Sequence, residues 1–63
     1  MLVYFTESLS GNSIAINPQY VVAVFTAKDG DNEGKTVIGV TNGSVFVNEN
    51  FTDVVGTLNG HLA

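Results

Sequence analysis

Thr36-Val37-Ile38-Gly39-Val40-Thr41-Asn42-Gly43-Ser44-Val45-Phe46-Val47-Asn48 is the stretch whose reading decides the fold. Two runs rich in β-branched and aromatic residues flank Asn42-Gly43, the strongest short hairpin signal in the chain. Asn and Gly both tolerate the positive φ that a type I′ turn requires, so the stretch reads as strand 36–41, a tight turn and strand 44–48. Gly39 inside the first run marks a bulge or a close backbone approach.

Working outward toward the N-terminus, Tyr20-Val21-Val22-Ala23-Val24-Phe25-Thr26 reads as strand 20–26, apolar at nearly every position. A strand apolar on both faces is expected to be covered on both, and in so short a chain a neighbouring subunit supplies one cover. Lys28 to Gly34 forms a polar loop ahead of the hairpin. Asn17-Pro18 makes a corner, because Pro has no N–H to give to a ladder. Before it, apolar and polar residues alternate in segments 2–6 and 13–16, and Ser10-Gly11-Asn12 between them predicts another hairpin.

Beyond residue 48 the period changes. Phe51, Val54, Val55 and Leu58 fall on one face of a helix over 51–59. Asn50 is its expected N-cap, Asp53 lies in its first turn, and Gly60 is its expected stop. Gly56 weakens the helix, so docking on the sheet has to hold it. The fold class expected is mainly β, a strongly bent five-stranded antiparallel sheet or small barrel with a short C-terminal helix, in one domain spanning 1–63.

The chain has 63 residues, no cysteine and one histidine, which excludes disulfides and thiolate metal sites. So small a domain is marginally stable and draws on packing or oligomerisation. Hydrophobic residues make up 44% and charged residues only 13%, too few charges to cover the surface of a small monomer. Self-association is the simplest account. The net charge is −4, with Lys28 and Lys35 the only cations and no arginine, a balance that disfavours binding a polyanion. The longest apolar run, 20–25, is far short of a membrane span, and residues 1–5 lack a basic leader, so the expected location is cytoplasmic, or the host cytoplasm if the gene is viral.

No cluster predicts catalysis, a cofactor or a metal. Asp29, Asp31 and Glu33 alternate as in a calcium loop, but the position for the closing bidentate Glu is Val40. His61 lies close to the chain end without an evident orienting partner. Ser8, Ser10, Ser13 and Ser44 sit in or beside turns, as serine commonly does. Asn42-Gly43-Ser44 and Asn50-Phe51-Thr52 fit the glycosylation sequon, yet turn and cap roles explain both. The aromatics Tyr4, Phe5, Tyr20, Phe25, Phe46 and Phe51 read as core or interface rather than a base-stacking platform, since no cations cluster beside them.

Ile16-Asn17-Pro18, Val21 and Val24, Thr41-Asn42-Gly43-Ser44 with Val45 and Val47, Asn48-Glu49, and Phe51 with Val54-Val55 together resemble the short FlbD-like proteins. That likeness spans roughly residues 14–58 and implies the order strand, Asn-Pro corner, hairpin, acidic helix start, with no activity to transfer. The loop over 28–34 is longer here and basic residues are scarcer. In strand count and bending the chain is also similar to Sm-like and SH3-like small barrels, and the Sm likeness implies assembly through strand edges. It does not imply RNA binding, because Asn42-Gly43 stands where an Arg-Gly pair would be expected. Low charge and small size suit a small phage or marine microbial protein.

The expected function is therefore a non-enzymatic structural or interaction module that assembles with itself through strand edges and apolar faces. Tyr20, Val22, Val24, Val37 and Val40 are the candidate interface. The alternatives are a nucleic-acid-binding ring and, less favoured, an enzyme whose site is built at a subunit interface from Asp29, Asp31, Glu33 or Glu49.

Overall fold

A computed structural model describes residues 2–28, 30 and 33–62, the last two by backbone alone. Five strands are followed by one helix: β1 (Val3–Thr6), β2 (Ser13–Ile16), β3 (Val21–Thr26), β4 (Thr36–Val40), β5 (Gly43–Val47) and α1 (Phe51–Leu62). A 3₁₀ turn, Pro18–Tyr20, lies between β2 and β3.

The strands are all antiparallel but form two sheets, β1-β2 and β3-β4-β5, and do not close into a barrel. This corrects the expectation of one continuous bent sheet or an Sm-like or SH3-like barrel. The cause lies at the Asn17-Pro18 corner. The Asn17 side chain accepts from the Gln19 N–H at 3.0 Å, and its carbonyl accepts from the Tyr20 N–H at 3.0 Å. That tight turn redirects the chain, so β3 finds its partner in β4 and β2 ends without a second neighbour. Tyr20 belongs to the turn rather than to the strand.

The sheets are stitched where the end of β1 meets the end of β5. Glu7 bridges Val47, the Ser8 N–H donates to the Phe46 carbonyl at 2.9 Å, and the Asn48 N–H donates to the Thr6 carbonyl at 2.9 Å. The helix α1 packs against β3 and the Pro18–Tyr20 turn.

The core lies between these layers. Val3, Phe5 and Ile16 come from the first sheet, Ile38 and Val47 from the second, and Val54 and Leu58 from the helix. Val24, Ile38 and Val45 stand opposite one another across the three-stranded sheet, and all three face this interior. Ile38, Val47 and Val54 are fully buried; each contributes about 1.5–3 kcal/mol relative to exposure.

The hairpin that decided the fold has a different turn from the one expected. Val40 pairs with Gly43, so the loop is Thr41-Asn42 and Gly43 already belongs to β5. Among the described residues no non-glycine has positive φ, and Gly43 lies outside the left-handed region, so the turn is not type I′.

At the helix start the Asn50 side chain caps the Asp53 N–H at 2.8 Å. Gly60 does not end the helix, which continues to Leu62. A glycine terminates a helix when it turns left-handed, and Gly60 does not.

Candidate functional site

The feature that stands out is β3 and the sheet face it carries. β3 is a terminal strand of its sheet, six residues long, and has neither a charge nor a proline. Natural edges are commonly protected by such residues, by bulges or by a cover. Here the protection is a bulge, where the register shifts between Val21 and Ala23 and leaves Val22 unpaired. The extra residue lets both Val21 and Val24 pack against the core while Val22 stays 71% exposed.

On the face away from the core, Phe25, Val37 and Phe46 stand opposite one another across all three strands. Val37 is buried between its larger neighbours, whereas Phe25 remains 51% exposed. The row floors an open groove of about 480 Å³, which Lys28 and Ser44 also line. Gly39 adds no side chain on this side, although a Cβ there would make only ordinary contact, 3.5 Å from the Ala23 carbonyl oxygen.

The five candidate interface residues therefore separate. Tyr20 and Val22 are exposed at the β3 end of the sheet. Val24 and Val40 pack against the core, and Val37 is covered by Phe25 and Phe46. The bulge and the β4 register turn the half-buried Val24 and Val40 inward, whereas Val37 lies on the outer face beneath its two aromatic neighbours. Phe25 and Phe46 carry the open face instead. Their sequence signal is alternation: each lies at an odd step from a core-facing residue, Val24 for Phe25 and Val45 or Val47 for Phe46.

The polar groups serve the fold. Glu49, between β5 and α1, accepts the Thr6 N–H with both carboxylate oxygens, at 2.9 and 3.0 Å, and the Thr6 hydroxyl at 3.0 Å. Its carbonyl accepts from the buried Thr36 hydroxyl at 2.7 Å. Burial pushes the Glu49 carboxyl up, but the N–H groups of Thr6 and of Glu49 itself and the Thr6 hydroxyl outweigh it and hold the group below its ordinary value. The Lys35 ammonium donates to the Asn48 side chain at 2.9 Å, and the Ser10 hydroxyl donates to Glu7 at 2.6 Å. Among the described residues no three His, Asp or Glu side chains come together to hold a metal. Of the acidic loop, Asp29 and Asp31 lie outside the described residues, as does the His61 side chain.

The arrangement offers an uncharged strand edge beside an apolar face, which is chemistry for binding another backbone. No family model, no curated protein and no solved structure matches the chain.

Proposed function

We propose that this protein is a non-enzymatic interaction module that associates with further copies of itself through β3 and the adjoining face. One observation carries the reading: a six-residue terminal strand without charge bears Val22 and Phe25 more than half exposed, with Tyr20 beside it at 59%. Exposed apolar surface of this kind, contiguous with an unpaired edge, marks an interaction site. The composition supports the same reading, since a chain with 13% charged residues has few charged side chains to guard that face.

The test is absolute mass by light scattering on a sizing column over a wide concentration range. A mass of at least twice 6.6 kDa at the upper concentrations is expected. A value of 6.6 kDa throughout the range refutes self-association.

A further inference from the structure

We infer that two copies pair β3 against β3, antiparallel about a two-fold axis at Phe25, to make one six-stranded sheet; this rests on the self-association proposed above. The register follows from backbone directions. The Ala27 N–H donates to the Lys35 carbonyl and the Ala27 carbonyl accepts from the Gly34 N–H, both at 2.9 Å, so at Ala27 the backbone faces the β4 side. Directions alternate along a strand. Phe25 therefore also faces β4, while the N–H and C=O groups of Val24 and Thr26 point out of the sheet.

The neighbouring strands agree with this assignment. If Phe25 and Val37 exchange hydrogen bonds, then Val37 and Phe46 do not, and the backbone of Phe46 points away from β4. Its carbonyl indeed accepts from the Ser8 N–H. Among the described residues no backbone bond outside the ladders involves Val24 or Thr26.

A second copy suits this edge because the edge matches itself. Two chains of net charge −4 repel unless they meet on uncharged surface, and Val21–Thr26 carries no charge. Glu7, Glu49 and Asp53 all lie on other elements. Outward-facing residues must stand opposite outward-facing residues. Centring the axis on Val24 would set the bulged Val22 against Thr26, and centring it on Thr26 would run past the strand end. Centring it on Phe25 sets Val24 against Thr26 of the partner subunit twice over, with four hydrogen bonds, clear of the bulge. It also places Phe25 beside the partner subunit's Phe25 on the open face, so the row Phe46–Val37–Phe25 continues across the axis.

Non-hydrogen-bonded antiparallel pairs have Cα atoms about 4.5 Å apart, within disulfide reach. The chain has no cysteine of its own, so single substitutions read the register directly. At a concentration where the wild type is dimeric, Phe25→Cys is expected to form a covalent dimer at least ten-fold faster than Thr26→Cys, whose Cα atoms would lie about 8 Å apart. Thr26→Pro, which removes an outward N–H that the fold does not use, is expected to raise the dimer dissociation constant at least ten-fold while leaving the monomer's circular dichroism unchanged. A dimeric wild type with equal cross-linking at 25 and 26, or with an unchanged constant for Thr26→Pro, overturns this pairing and leaves self-association standing. A wild type that is monomeric at every concentration overturns both.

Discussion

Replacing Glu49 by Gln tests the polar clamp that ties β1 to the start of the helix. The carboxylate accepts two bonds from the Thr6 N–H and one from the Thr6 hydroxyl, across a sequence separation of 43 residues. Gln keeps the shape but has one acceptor oxygen, and its NH₂ meets a donor. Hydrogen bonds to a charged acceptor contribute about 1.5–3 kcal/mol when buried. Glu49 is only partly buried, so solvent screening brings the expected loss at neutral pH to roughly 1.5 kcal/mol. In a domain of this size that lowers Tm by about 6–12 °C. The folded chain holds this carboxyl more acidic than the unfolded chain does, so the ionised form is the stabilising one. Its contribution is complete above the ordinary carboxylate pKa of 4.5 and is lost as pH falls through the lower folded value. Urea denaturation of wild type and Glu49→Gln from neutral to acid pH should therefore show two stability curves that converge in acid. Parallel curves, or equal stability at pH 7, would show that the clamp is not held by the charge.

Two further outcomes can be read from the same denaturation assay. Gly34 has φ +87, where a side chain costs about 1–2 kcal/mol, whereas Gly43 is outside that region with open space around its Cβ position. Gly34→Ala should destabilise, and Gly43→Ala should be neutral or gain up to about 1 kcal/mol; a Gly43→Ala loss as large as that at Gly34 would restore the type I′ turn. Ile38 is fully buried and Val22 is 71% exposed, so Ile38→Val should lose about 1 kcal/mol while Val22→Thr stays within about 0.5 kcal/mol, measured at low protein concentration. A reversed order would show that the bulge lies elsewhere in β3.

Residue pattern alone determined the element types and their order. Alternation in 2–6 and 13–16, the β-branched runs of β3, β4 and β5, and the helical spacing of Val54 and Leu58 are local properties, expressed wherever the chain finds cover. The Asn50 cap was equally legible, because a cap bonds within its own turn.

What tertiary structure alone decided is how those pieces meet. Whether five strands make one sheet or two depends on the direction in which the Pro18–Tyr20 turn delivers β3, and no local pattern encodes that direction. The bulge at Val22 shifts the faces of β3, so Val24 joined the core although strict alternation from Tyr20 grouped it with the exposed Val22. Val37, a candidate interface residue in the sequence, is covered by Phe25 and Phe46, neighbours supplied by other strands. The hydrogen bonds of Glu49 to Thr6 were not legible, because its partner is 43 residues away. Short-range chemistry is written in neighbouring residues; burial, register and long-range hydrogen bonds exist only once the chain has folded back on itself.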